Sequence, residues 1–127
     1  MKEETTKLLE KAQRALRAAE ILLKAGDPEF AAGRTYYSML YAAQALLREK
    51  DLQYRKHTGV HSAFGEHFSQ KGLLDKKYHR WLLDAFDERL RGDYDCNASF
   101  SEQEVSVWIE KARDFLQVTR KYLEDNS

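Results

Sequence analysis

Arg89, Arg91, Asp93 and Tyr94 stand together near the end of a helical pattern, and they combine fixed positive charge, a carboxylate at i, i+4 and a phenol. An arginine in that position can face a phosphate with paired N–H donors while Asp93 holds it in orientation. The plainer alternative is an Arg89–Asp93 ion pair on a helix surface, contributing about 0.3–0.5 kcal/mol and no chemistry. A second group, Tyr54-Arg55-Lys56-His57, is basic and aromatic at once. Arg55, Lys56 and His57 are candidates for contact with an RNA or nucleotide phosphate or base, whereas His57 could equally cap a helix.

Other combinations carry less. His57 and His61 have the i, i+4 spacing of a two-histidine metal site, but no third ligand accompanies them, so no metal is assigned. Arg55 and His61 also form an arginine–histidine pair with five residues between them, and they read as surface and helix-cap polar residues. Tyr36, Tyr37 and Tyr41, at helical spacing, read as core and interface residues more readily than as a stacking platform. Arg34 is a charge inside an apolar helix, either exposed along a narrow polar strip or held by a carboxylate. Cys96 lies in a polar stretch with no adjacent histidine or second cysteine, and reads as a bystander.

The elements that must position these residues follow from periodicity. Residues 31–47, AAGRTYYSMLYAAQALL, are apolar around most of a helix, with Arg34, Ser38, Tyr41, Ala45 and Arg48 on one narrow strip. Such a helix must be covered on several sides, and the other segments form its coat. Residues 3–25 repeat apolar positions at three and four, from Leu8 and Leu9 to Leu22 and Leu23. Gly26 is a left-handed stop, and Asp27-Pro28 supplies the N-cap and first position of the second helix, so these two helices form a short-turned antiparallel hairpin. Thr58 is the expected N-cap of a third helix bearing Val60, Phe64 and Phe68 and ending at Lys71-Gly72. Leu73-Leu74-Asp75 opens a fourth helix carrying Tyr78, Trp81, Leu82, Ala85, Phe86 and Leu90, ended or weakened by Gly92. Residues 93–100 read as a loop, and Ser101 to Glu104 as a capping box opening the last helix, whose buried face includes Val105, Ile109, Phe115 and Leu123.

The expected fold class is therefore all-α, a four- to five-helix bundle of up-down antiparallel helices, in one domain over residues 1–127. Lys plus Arg equals Asp plus Glu at 21 each, so nucleic-acid contact must come from a local patch and not from global charge. The single Cys96 cannot close an internal disulfide, residues 1–4 lack a signal-peptide pattern, and no apolar run approaches roughly 18 residues, so the expectation is a cytoplasmic chain with no membrane span. Helix two has more apolar circumference than two antiparallel neighbours can cover, which suggests a homodimer through its exposed remainder and the fourth helix.

Four pieces in order carry a resemblance: A-x-R-x-Y-Y-S-M-x-Y-A-A-x-A-L-L in helix two, K-H-x-G-V-x-x-x-F-x-x-x-F from Lys56 to Phe68, K-G-L-L-D from Lys71 to Asp75, and R-x-x-x-D-Y-D from Arg89 to Asp95. Together, over about residues 5–120, they resemble the HEPN (higher eukaryotes and prokaryotes nucleotide-binding) family, in particular its small stand-alone prokaryotic branch. The resemblance implies an HEPN-like bundle, often a homodimer, commonly paired with a minimal nucleotidyltransferase antitoxin in toxin-antitoxin or defence systems. It implies no cofactor. In many members an arginine and a histidine separated by four to six residues cleave RNA without metal. Arg89 matches the family arginine, but no histidine follows it. The resemblance thus leaves two readings: an RNA- or nucleotide-directed protein with weak or lost endoribonuclease activity, for which Arg89, Asp93 and Tyr94 are the candidate catalytic residues and Arg55, Lys56, His57 and Arg91 the candidate binding residues, or a non-catalytic helical module that dimerises and holds a nucleotidyltransferase.

Overall fold

The structure, a computed structural model, describes residues 1–126. Within them the chain forms α1 (Glu3–Lys24), α2 (Pro28–Glu49), α3 (His57–Phe64), a π-helical turn (Gly65–Ser69), α4 (Lys76–Tyr94) and α5 (Glu102–Asp125), with no strand. This is the expected all-α bundle. No helix among the described residues is long and apolar enough to cross a membrane.

The α1–α2 hairpin forms where its local signals placed it. Gly26 takes a φ of 85°, which a side chain would resist. Asp27 then caps α2 by accepting a hydrogen bond from Phe30 N, and Pro28 occupies the first turn, where its missing N–H costs nothing. Across the hairpin Ser38 Oγ donates to Ala12 O at 2.9 Å, and the facing alanines Ala12, Ala19, Ala42 and Ala45 allow that close approach.

Helix α2 is the axis of the bundle, packed by α1, α3, α4 and α5. Leu40, Leu46 and Leu47 are essentially inaccessible, and each such side chain contributes about 1.5–3 kcal/mol by leaving water. One expectation is corrected here. The least covered side of α2 runs through Arg34, Tyr37, Tyr41, Gln44 and Arg48, while Ser38 and Ala45, placed on the polar strip by sequence, are buried. A serine can go inside because Ser38 satisfies its hydroxyl on α1. Four elements of the same chain pack on α2, and its exposed large apolar side chain is Phe30 in the first turn.

Polar groups inside the bundle are paired. Tyr36 Oη and His61 Nε2 share a 2.7 Å hydrogen bond between α2 and α3, Thr35 Oγ1 donates to Ala32 O, and Thr119 Oγ1 donates to Phe115 O. Among the described residues no buried side-chain nitrogen or oxygen lacks a partner. His61 was expected at the surface; it is 4% exposed, because its ring turns inward to bond Tyr36 and pack on Phe86, and α3 begins at His57 and not after Thr58. Lys56 precedes α3 without a side-chain cap.

Helix α3 runs into the π-helical turn at Gly65, where His79 of the fourth helix packs against it. A Cβ on Gly65 would lie 2.6 Å from His79 Cε1. His79 Nε2 donates to the His61 carbonyl at 3.1 Å, so the ring is held in place against that glycine. Asp75 and Ser101 cap α4 and α5 by accepting from Lys77 N and Glu104 N. Gly92 does not end α4, which continues to Tyr94 and makes Asp93 and Tyr94 helical. Its missing side chain instead makes room for the Phe100 ring, which an added Cβ would meet at 3.2 Å.

Two outcomes follow from these contacts. Gly65→Ala should destabilise the protein by about 1–3 kcal/mol in urea unfolding, and much of that cost should vanish in a His79→Ala background, where no ring opposes the new methyl. Burial, with His57 and His79 nearby, lowers the His61 pKa to about 4. The unfolded chain then takes up a proton near pH 6.5 that the fold refuses, so this contribution is intact above pH 6.5 and lost as pH falls toward 4, amounting to on the order of 2 kcal/mol between pH 7 and pH 5. Unfolding curves of His61→Gln should show a correspondingly shallower pH dependence over that interval; an identical slope would refute the assignment.

Candidate functional site

Arg89 projects from the last turns of α4, where a cation is favoured by the helix dipole. Its Nε lies 3.2 Å from Asp93 Oδ2, one turn on, so the carboxylate holds one edge of the guanidinium. The planar group lies 5.2 Å from the Tyr37 ring centroid and 5.8 Å from that of Tyr36. Helix α2 supplies a second arginine to the same ring, with Arg34 at 4.7 Å from Tyr37. Among the described residues Arg34 has no carboxylate partner; of the two alternatives open in sequence, it takes the half-exposed one.

His57, the first residue of α3, closes the group from a third element. Its ring centroid is 5.8 Å from Tyr37 and 5.9 Å from Tyr36. Burial and, secondarily, the Arg89 charge lower its pKa below the ordinary histidine value. At pH 7 the imidazole is therefore neutral and able to accept a proton. Tyr36 is held as the phenol: burial raises its pKa, and the opposing pull of Arg89 does not offset this.

The open side is a groove of about 390 Å³ whose lining includes Glu29, Phe30, Arg34, Tyr37, Arg89 and Asp93. Phe30 at its edge is 64% exposed. The arrangement suits a phosphate against two guanidinium groups, with a base or sugar against the Tyr37 and Phe30 rings. Glu29 and Asp93 keep the groove from being uniformly positive.

The sequence-derived residues separate in space. Arg89, Asp93 and His57 converge. Tyr94 is 83% exposed at the end of α4. Arg91 turns away: its Nη2 and Nε contact Glu88 Oε2, its Nη1 donates to Ser99 O, and its guanidinium stacks 4.1 Å over Phe100, so it pins the segment after α4. Arg55 and Lys56 are exposed on the loop before His57. His61 lies behind Tyr36 with its Nε2 engaged. Cys96 is exposed. Among the described residues no three metal-ligating side chains converge.

Arg34 and Tyr37 are the site members that sequence reasoning did not join to Arg89. Their signal was present in part: an arginine three residues before a tyrosine places both on one helix face, but nothing local says that α4 brings Arg89 to it.

Comparison with known proteins is consistent along the whole chain. The HEPN domain model matches residues 5–122. A Methanocaldococcus jannaschii protein named "Putative toxin MJ0142" is 36% identical over 96% of this chain and 83% of its own length. A second protein of that organism, named "Putative toxin MJ0605", is 32% identical over 98% of this chain and 92% of its own. A Gloeobacter violaceus relative, named "UPF0332 protein glr0978", is 35% identical over 97% and 98%. With the family model spanning nearly every helix and the bundle arranged around α2 as described, the chain belongs to the HEPN family.

Proposed function

We propose that this chain is an RNA-directed toxin-like HEPN protein whose phosphate site is Arg89, with slow metal-independent cleavage at most. The observation that supports this is the meeting of Arg89 and a neutral His57 at the Tyr37 ring, from helices far apart in sequence. Cleavage of RNA without metal needs a base for the 2′-hydroxyl proton, a donor for the charge developing on phosphorus-bound oxygens, and an acid for the leaving oxygen. Arg89 suits the second role and His57 the first. The remaining candidates are withdrawn from the groove: His61 is turned into the core, and the Tyr36 phenol is buried. Turnover is accordingly expected to be slow, and binding to outlast cleavage.

The expected result with long RNA in chelator is weak nicking that Arg89→Ala and His57→Ala each abolish, with Arg89→Ala also reducing binding. Activity should fall as pH drops through the lowered His57 pKa. Robust cleavage retained in Arg89→Ala would overturn the reading.

A second reading, an interaction module for a minimal nucleotidyltransferase, is favoured by one observation: Tyr94, five residues beyond Arg89, is exposed enough for an interface or a modification. In this second reading the chain also dimerises, with exposed Phe30 beside the groove as its apolar contact. Light scattering at tens of micromolar should give twice the chain mass for the wild type, and the chain mass for Phe30→Glu.

A further inference from the structure

The Arg89 groove is one end of a longer feature. From Arg34 to Arg48 the least covered side of α2 runs for about 21 Å. Along it the Tyr37 and Tyr41 ring centroids are 5.9 Å apart, and Lys11 of α1 lies 4.8 Å over Tyr41. The row then opens into a cavity of about 370 Å³ between α1, α2 and the loop before α3. Leu8, Leu47, Leu52 and Val60 make its interior, and Lys7, Lys11 and Arg48 stand among its lining residues. The loop before α3 joins the two ends, because Tyr54 lines this cavity while His57 packs on Tyr37.

Along this row basic residues exceed acidic ones by one, Arg34, Arg48, Arg89, Lys7 and Lys11 standing against Glu3, Glu4, Glu29 and Asp93. Arg34 and Lys11 have no carboxylate partner among the described residues. Lys7 is paired with Glu3 and Arg89 with Asp93, while Arg48 is bonded to the uncharged Gln53; Glu4 is the acidic residue lining the cavity. Cations and rings are paired along it, with Arg34 and Arg89 over Tyr37 and Lys11 over Tyr41, so a base of a single strand reaches a ring face where its phosphate draws the cation aside. A duplex keeps its bases stacked and cannot use such rings. The cavity is apolar inside and basic outside, as a base with its phosphate requires.

We propose that this row is a track for single-stranded RNA, running from Arg89 over Tyr37 and Tyr41 to a base-binding cavity beside Lys7, Lys11 and Tyr54. The proposal rests on the reading of Arg89 as the phosphate site. With bases separated onto successive rings at about 6 Å per nucleotide, close to the 5.9 Å between Tyr37 and Tyr41, the track takes roughly three to four nucleotides.

Fluorescence anisotropy with uncleavable 2′-O-methyl oligonucleotides tests it. The wild type should bind an octanucleotide about tenfold or more tighter than a dinucleotide, since the longer strand reaches Tyr41 and the cavity. Lys7→Ala with Lys11→Ala, both exposed positions, should weaken the octanucleotide about tenfold and reduce its salt slope by about 1 to 1.5, leaving the dinucleotide unchanged. Tyr41→Leu, with its helix content checked by circular dichroism, should weaken the octanucleotide without changing that slope. Arg89→Ala should weaken both ligands. If the lysine and Tyr41 variants bind the octanucleotide as the wild type does while Arg89→Ala does not, the track is refuted and the phosphate site stands. If Arg89→Ala changes nothing, or the wild type binds neither ligand, the phosphate reading fails and the track with it.

Discussion

Tyr36 lies at the centre of the bundle with its ring wholly removed from water, so its hydroxyl has to find a partner inside. The partner is His61 Nε2, and the 2.7 Å bond ties the middle of α2 to α3. Much else depends on that tie. It sets the rotation of α3, which carries His57 to the rings of Tyr36 and Tyr37 one turn earlier. It directs the His61 carbonyl to His79, which holds α4 against Gly65. The Phe86 ring packs on both Tyr36 and His61, at 5.4 and 4.8 Å, so α4 is registered against the same pair, and Arg89 follows Phe86 by one turn. A buried polar pair is strongly directional, because leaving either member unpartnered would cost a desolvated group its hydrogen bond.

This arrangement divides the histidines by environment. His61, deep in the core, stays neutral well below physiological pH and is committed to structure. His57, half-buried at the start of α3, is lowered by burial and by the Arg89 charge, and its ring packs on Tyr36 and Tyr37. Two residues four positions apart on one helix thus do different work. The packing of α3 and α4 on α2 thus brings a histidine near Arg89 although none follows it in the chain.

The arginines divide in the same way. Arg89 and Arg91 sit two residues apart on α4 and therefore project to different sides. Arg91 is consumed by Glu88, Ser99 and Phe100, and in being consumed it shapes the turn that lets Phe100 cover Gly92. Arg89 keeps its outer face toward the groove because Asp93 engages one edge and the tyrosine rings support its plane.

By itself the sequence determined the elements whose signals are local. The Gly26-Asp27-Pro28 hairpin, the Asp75 and Ser101 caps, the buried faces of α1 and α5 and the central place of α2 all rest on backbone preference and on the 3.6-residue period, which act within a few turns. The Arg89–Asp93 pair was legible for the same reason. What only the tertiary structure decided is everything that depends on which helix meets which. Ser38 is buried because Ala12 O lies opposite it, His61 is inside because Tyr36 needs a partner, and α4 passes through Gly92 because Phe100 packs there. Arg34, Tyr37, His57 and Arg89 become one site only through the packing of α2, α3 and α4. No spacing along the chain encodes that meeting, since it is set by the rotation of each helix about its axis as buried side chains fit and buried polar atoms find partners.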